Sequence, residues 1–222
     1  FYQPWIRNSI GNIFENFFGP LFGNVPYNFT TTHNYLHHAL QGRSADSFYQ
    51  YDIDRTSWVD FMILLHRIAM HANGLAAWNQ MRLHGLHKQA NILAKGLVQY
   101  YIIYPAILFA MTRSWSFLFF MYFQPYIGMT FFLAFMNVAF HGFVDYDENG
   151  NPVECVYSTE LIGGDDDYFG EDSHFTHYVA GHVYWRDMDK YRVNMYQDFA
   201  KYHGAVFQGL SVTVGAWRSE CR

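Results

Sequence analysis

The fold of this chain is decided by residues 92–140, which read ILAKGLVQYYIIYPAILFAMT (Ile92–Thr112), then Arg113, then SWSFLFFMYFQPYIGMTFFLAFMNVAF (Ser114–Phe140). Between residues 96 and 144 the single charged residue is Arg113. Each apolar run is at least as long as the roughly 20 helical residues that cross a hydrocarbon core of about 30 Å. Neither run carries a polar stripe at helical spacing. The pattern predicts a transmembrane helical hairpin over 92–140, with a buried hairpin in a soluble core as the alternative.

The composition of the whole chain agrees with a membrane protein and excludes several other classes. Of its 222 residues 51% are hydrophobic, 21% aromatic and 15% charged, and the formal net charge is −5. So many large apolar groups exclude intrinsic disorder, and the negative charge without basic runs makes nucleic acid a poor partner. The 2 cysteines are too few for a disulfide scaffold. The length suits one domain spanning residues 1–222.

The segments on either side of the hairpin are more polar. In the preceding segment, apolar residues recur at three- and four-residue spacing, which predicts an amphipathic helix at the membrane interface or packed on the hairpin. These residues are Trp58, Phe61, Leu64, Leu65 and Ile68. After the hairpin the chain is acidic and Gly-rich, and a helical stretch is expected to about Phe207. The predicted fold class is an all-α membrane protein: a transmembrane helical hairpin with interfacial amphipathic helices and a histidine-bearing cap.

The 12 histidines are the second unusual feature of the sequence. Those that form clusters lie before the hairpin, at its end and after it. They are His33, His37 and His38; His141, with Asn137 four residues earlier; and His174 and His177. On α-helices the i, i+3 and i, i+4 members of each cluster share one face. Because both ends of a hairpin emerge on one side of a bilayer, the three clusters are expected to meet there.

The clustered imidazoles predict a metal site. A buried imidazole needs partners for both ring nitrogens, and a metal ion that binds nitrogen supplies one of them. The His-Glu-x-x-His motif of zinc hydrolases is absent from the sequence. Iron suits a site with many imidazoles and few nearby cysteines. Heme or copper bound by the same histidines is the alternative.

The order of these motifs resembles the histidine boxes of the membrane fatty acid desaturase/hydroxylase family. His-x-x-x-His-His comes first, then two apolar helices, Asn-x-x-x-His, and His-x-x-His. The segment Gly170–His177, GEDSHFTH, is similar to the Gly-Glu-Asp-x-His-x-x-His-His of one branch. The resemblance covers about residues 31–185 and identifies the whole chain as a single desaturase-like domain, expected to be incomplete at its N-terminus.

The resemblance implies two non-heme iron ions that activate O2. Their ligands would be His33, His37, His38, His141, His174 and His177, with Asn137 contacting iron through water. The substrate would be an acyl lipid or acyl-CoA, and the electrons would come from a carrier such as cytochrome b5 or ferredoxin. The implied location is a membrane of the endoplasmic reticulum or of an organelle, either the mitochondrial inner membrane or a plastid membrane.

The sequence departs from the family pattern in two places. The last box should end His-His, but Tyr178 follows His177. Residues 1–30 contain no histidine, so the family's first box is expected either upstream of Phe1 or lost. The sequence therefore leaves two functions open: a desaturase-like oxidoreductase, or a non-catalytic subunit of a larger respiratory or photosynthetic membrane complex.

Overall fold

A computed structural model gives the architecture of most of the chain. It describes residues 6, 10–40, 45–46, 48–54, 56–142, 147–149, 159–162, 172–181, 183–195, 197 and 205–209. Parts of the last box and its surroundings, namely Gly170, Glu171 and His182, lie outside the described residues.

Helices occupy most of the described chain, so the predicted helical character is confirmed. The helices are α1 (π-helical Phe14–Phe18 with α-helical Gly19–Leu21), α2 (π-helical Phe29–His37 with α-helical His38–Leu40), α3 (Trp58–Ala72), α4 (Leu75–Leu83), α5 (His87–Thr112), α6 (Trp115–His141), α7 (His174–Val179) and α8 (Met188–Asn194), the last following a 3-10 turn at Trp185–Asp187.

Helices α5 and α6 correspond to the two predicted apolar runs. They have 26 and 27 residues and mean hydropathies of 1.5 and 1.4, so within the described part of the chain both are long and apolar enough to cross a membrane. Helix α5 begins five residues earlier than the predicted Ile92. The chain turns at Arg113, whose φ of 51° is left-handed. The hydroxyl of Ser114 then caps α6 by accepting from the N–H of Phe117 at 3.1 Å.

Two tyrosines join α5 to α6 where both helices contain a π-helical segment, Gln99–Ile103 in α5 and Phe119–Phe123 in α6. In the α5 segment the N–H of Tyr104 donates to the carbonyl of Gln99, five residues before it. The same spacing places the carbonyl of Tyr100 opposite Pro105, which has no N–H to donate. The Tyr122 hydroxyl donates to this carbonyl at 2.8 Å. The rings of Tyr100 and Tyr122 also stack, with centroids 4.8 Å apart. A neighbouring side chain therefore satisfies the carbonyl that proline leaves open.

The chain divides into two compact units. The first unit comprises Tyr2–Ala39 and Leu65–Leu133, and the second comprises Leu40–Leu64 and Ala134–Arg222 together with residue 1. Helices α3 and α6 each contribute residues to both units. In the first unit, α2 packs against α4 and α5. Its fully buried side chains include Ile68, Met81, Leu93, Tyr100 and Tyr122.

The predicted amphipathic helix is α3. Leu64, Leu65 and Ile68 are buried, as the spacing predicts. Trp58, at the start of the pattern, is 71% exposed, so it does not pack on the hairpin. Its ring stacks on Phe61 at 5.2 Å, on the surface of the first turn of the helix. The buried stripe therefore begins one to two turns later than the spacing suggests.

The second unit contains a short parallel sheet that the sequence does not predict. Strand β1 (Thr159–Ile162) pairs with strand β2 (Ala205–Gln208), with Thr159 opposite Ala205. The expectation of a helix to about Phe207 is wrong, because Phe207 lies in β2 and packs on a core of Ala139, Phe140 and Leu161. Strands of four residues are too short to show a clear alternating pattern in the sequence.

Candidate functional site

The first group of histidines lies in helix α2 of the first unit. The N–H of His38 donates to the carbonyl of His33, which is the i→i+5 bond of a π-helix. On an α-helix these two residues would point about 140° apart. The wider π turn instead brings them together, and their Nε2 atoms are 3.0 Å apart. The sequence correctly predicts a cluster but assigns the close pair to His33 and His37, because it assumes α-helical spacing.

His37 lies beside this pair in a buried position. Its ring centroid is 5.4 Å from that of His33 and 6.2 Å from that of His38, and its side chain is 3% exposed. On the other side Phe29 stacks on His33, with ring centroids 4.4 Å apart and an interplanar angle of 14°. The π-helical segment and the residue that follows it therefore bring three imidazoles together, and the Phe29 ring covers one face of His33.

Polar side chains at the start of α2 anchor this segment. Asn28 donates from its side-chain amide to the carbonyls of His71 and Ala72 at the end of α3, at 3.3 and 2.9 Å. The hydroxyls of Thr31 and Thr32 donate to the carbonyls four residues before them, at 2.6 and 2.5 Å. Bonds from Ser and Thr hydroxyls back to the preceding turn often accompany bends and irregular turns in helices. The histidine cluster thus lies on a supported part of the backbone.

The second group lies in the second unit, where the end of α6 meets α7. The Nε2 atoms of His141 and His174 are 3.1 Å apart. The hydroxyl of Tyr178 lies 3.4 Å from the same Nε2 of His141. All three side chains are at most 7% exposed. Phe140 stacks on His174 at 4.3 Å and covers one face of this site.

His177, the other predicted ligand on α7, is 2% exposed. Its ring centroid is 6.0 Å from that of His174, whereas the ring of Tyr178 is 5.0 Å from His174 and 5.4 Å from His141. In the sequence Tyr178 is only a departure from the family pattern. Its spacing of four residues from His174 is the signal that could have placed it in the site, because i and i+4 share a helix face.

Asn137 provides a further polar atom one helical turn before His141. Its side chain is 7% exposed, and among the described residues its Oδ1 has no hydrogen-bond partner. Its backbone carbonyl accepts from the amide of Gln50 at 3.4 Å. An unsatisfied buried carbonyl group costs about 1–3 kcal/mol, so such atoms call for a missing partner.

Glu160 on strand β1 is a buried residue that the sequence does not single out. It is 0% exposed, and its carboxylate accepts from the N–H and the hydroxyl of Thr176 at 3.3 and 3.2 Å. Ser173 also donates to it, and the guanidinium of Arg192 lies 4.0 Å away. Burial raises the pKa of this carboxyl to about 7, and the bonds from Thr176 and Ser173 and the charge of Arg192 oppose the shift.

The role of Glu160 follows from the start of helix α7. Ser173 is the N-cap residue, but its side chain makes no capping bond to the helix backbone. Thr176 is the third helical residue, whose N–H has no partner within the helix. The Glu160 carboxyl supplies that partner from the neighbouring strand by accepting from the N–H of Thr176. The position of His174 and His177 therefore depends on β1.

In each histidine group one pair of Nε2 atoms lies at hydrogen-bonding distance, which is also a separation that two ligands of one metal ion can have. Two donors bound at about 2.1 Å to one ion are separated by about 3.0 Å when they subtend a right angle. The Nε2 pairs of His33 with His38 and of His141 with His174 are 3.0 and 3.1 Å apart. Imidazole donors suit iron, copper, zinc and nickel.

In comparisons with protein families, with characterised proteins and with solved structures, no match to this chain was found.

Proposed function

We propose that this protein is a membrane-bound, iron-dependent oxidoreductase of the fatty acid desaturase/hydroxylase type. The observation that carries the proposal is the 3.1 Å approach of the Nε2 atoms of His141 and His174. These residues are separated by 33 positions in the chain, and the first ends a 27-residue apolar helix. The order of the histidine motifs supports the same assignment.

The membrane location is part of the proposal. In the most apolar 18-residue window of α5 and of α6, 22% of the residues are buried, whereas the core helix of a soluble protein is mostly buried. Large apolar side chains on these helices are more than 45% exposed, including Ile102, Ile107, Met111, Phe120 and Phe131. Lipid would cover this surface if the helices form a transmembrane hairpin. The proposed location is a membrane of the endoplasmic reticulum or of an organelle, either the mitochondrial inner membrane or a plastid membrane.

The histidines of both groups would serve as ligands for two non-heme irons: His33, His37, His38, His141, His174 and His177. When bound, iron would supply the O2 activation needed to remove hydrogen from an unactivated C–H bond of an acyl lipid or acyl-CoA. In desaturation the acyl chain of the substrate loses two hydrogen atoms. O2 takes these up with two electrons from a carrier such as cytochrome b5 or ferredoxin and two protons from water, which gives two water molecules.

The contribution of the protein itself is to hold these donors in a dry, fixed arrangement. Glu160 fixes the start of α7 and so orients His174. Phe140 covers the His174 ring and excludes water from that side. Asn137 offers a buried oxygen one turn from His141, suited to a water bound to iron.

Iron content of the purified chain tests the proposal. The full chain is expressed in iron-supplemented cells and purified in detergent, and iron is measured per chain. We expect two irons, a large loss of iron in His141→Ala and His174→Ala, and no loss in the control His66→Ala, whose side chain is exposed on α3. Formation of a double bond or a hydroxyl in a reconstituted acyl lipid would complete the support. Wild-type protein without iron would contradict the proposal.

A non-catalytic subunit of a larger membrane complex is the second candidate. It is favoured by Tyr178, whose hydroxyl lies against His141 where the family pattern has a third histidine. Under this alternative, the exposed apolar side chains of α5 and α6 would contact other subunits as well as lipid. Purification from a mild detergent separates the two candidates. A stable stoichiometric complex without turnover favours the subunit, and an isolated chain that oxidises acyl lipid excludes it.

A further inference from the structure

Nε2 of His141 is the centre of an unusual group of metal donors. Nε2 of His174 lies 3.1 Å from it and the hydroxyl of Tyr178 lies 3.4 Å from it. We propose that Tyr178 is a metal ligand, which binds ferric iron through its phenolate together with His141 and His174. The inference rests on the proposed function, because the iron is the one that these histidines would hold.

The two distances from His141 Nε2, to His174 and to Tyr178, are compatible with donors that share one ion. For bonds of about 2.1 Å, two donors are about 3.0 Å apart at a right angle and about 3.4 Å apart at the tetrahedral angle. The two distances to His141 Nε2, 3.1 and 3.4 Å, match these values. The position of Tyr178 on α7, four residues after His174, directs both side chains to the same face.

The surroundings favour an ion over a simple network of hydrogen bonds. His141, His174 and Tyr178 are 5%, 5% and 7% exposed, so water is largely excluded. Asn137, one turn before His141, has a buried Oδ1 without a partner among the described residues. This amide oxygen is a hydrogen-bond acceptor, so its partner must be a hydrogen-bond donor or a cation. A water bound to a cation at His141 would be a donor for this oxygen.

The chemistry of a phenolate differs from that of the histidine it would replace. It is an anionic, hard oxygen donor, and hard donors favour the ferric over the ferrous ion. When Fe3+ binds, the phenol O–H bond breaks, the proton passes to solvent and the O–Fe bond forms. Replacing this ligand with neutral imidazole should therefore raise the reduction potential of the iron.

A visible spectrum tests the assignment independently of turnover. The purified full chain is loaded with Fe2+ without O2 and then oxidised with ferricyanide, which accepts one electron per iron. We expect a phenolate-to-iron charge-transfer band, with tyrosine ring vibrations enhanced in the resonance Raman spectrum. Tyr178→Phe should abolish the band and keep the iron bound to the histidines. Tyr178→His should bind iron without the band and at a higher potential. The control Tyr191→Phe, at an exposed position on α8, should keep the band.

Each outcome is decisive. If both Tyr178 variants lose the band and the control Tyr191→Phe keeps it, the result supports Tyr178 as an iron ligand. Iron bound to wild type without the band overturns the inference and leaves the proposed function standing. A band that persists in Tyr178→Phe also overturns it, because another tyrosine would be the ligand. No iron in wild type overturns both proposals. If Tyr178→Phe does not fold, as judged by thermal unfolding, Tyr178→His carries the comparison.

Discussion

The carboxylate of Glu160 accepts two hydrogen bonds from Thr176, one from the backbone N–H at 3.3 Å and one from the hydroxyl at 3.2 Å. Thr176 lies between His174 and His177, so this contact ties strand β1 to the helix that carries the last histidine motif. The carboxylate is fully buried, and its pKa is raised from an ordinary value near 4.5 to about 7. Burial raises this pKa, and the bonds from Thr176 oppose the shift, so the burial of Glu160 makes the free energy of unfolding depend on pH.

We expect the free energy of unfolding to fall as the pH rises from about 4.5 to about 7. In this range folded Glu160 keeps its proton while the unfolded carboxyl has lost it, so the folded state binds more protons and loses stability as the pH rises. The contribution is at most about 3 kcal/mol for a shift of this size. Glu160→Gln should remove this dependence. Thermal unfolding in detergent across the range measures it.

The matched control for this prediction is Asp189→Asn. Asp189 pairs with the same Arg192 at 2.9 Å, but its side chain is 78% exposed. Removing an exposed charge should leave the pH dependence intact. An equal flattening in both variants would mean that the pH dependence does not come from the buried Glu160 carboxyl.

Tyr122→Phe is expected to destabilise the protein by about 1–3 kcal/mol, the cost of leaving a buried polar group without a partner. The variant removes the hydroxyl that satisfies the Tyr100 carbonyl. Tyr100→Phe is the control, since the Tyr100 hydroxyl is buried and has no partner among the described residues. Tyr100→Phe should lower the free energy of unfolding only slightly or raise it. In a Pro105→Ala background, which restores an N–H, the Tyr122→Phe penalty should shrink. Chemical unfolding in detergent measures all four variants, and an unchanged penalty would rule out this role of Pro105.

Gly96→Ala should destabilise the first unit by about 1–3 kcal/mol through overpacking. Gly96 lies on α5 where the carbonyl oxygen of Pro26 approaches the helix so closely that an added methyl group would overlap with it. Gly128→Ala on α6 is the control, because a methyl group there meets nothing within 4 Å. It should be neutral or stabilising, since alanine favours helix. Equal thermal midpoints for the two variants would contradict the close approach.

His33→Ala and His38→Ala are each expected to weaken metal binding at the first histidine group by at least about tenfold, since each removes a nitrogen donor. Co2+ titration followed by visible absorption measures the affinity. The exposed His66 on α3 again serves as the control, and His66→Ala should not change the affinity. Retention of wild-type affinity in His38→Ala would mean that the π-helical contact between His33 and His38 does not form a metal site.

Much of the helical architecture could be predicted, because length and the absence of charge are properties of a continuous segment. Two long apolar helices follow directly from residues 92–140, and their turn follows from Arg113 and Ser114. The close pair in the first histidine group could not be predicted in the same way. The i→i+5 bond from His38 to His33 depends on a local widening of the helix, which α-helical periodicity does not reveal.

The sequence by itself determined two things: where the apolar helices lie, and which histidines are candidate metal ligands. Only the tertiary structure decided which of those residues meet. Tyr178 contacts His141 across 37 residues, and Thr176 contacts Glu160 across 16. Such contacts depend on how helix α7 is oriented by a buried strand, and four-residue strands leave little pattern in a sequence. As a result Tyr178, a departure from the expected motif in the sequence, lies in the structure beside His141 as a candidate ligand.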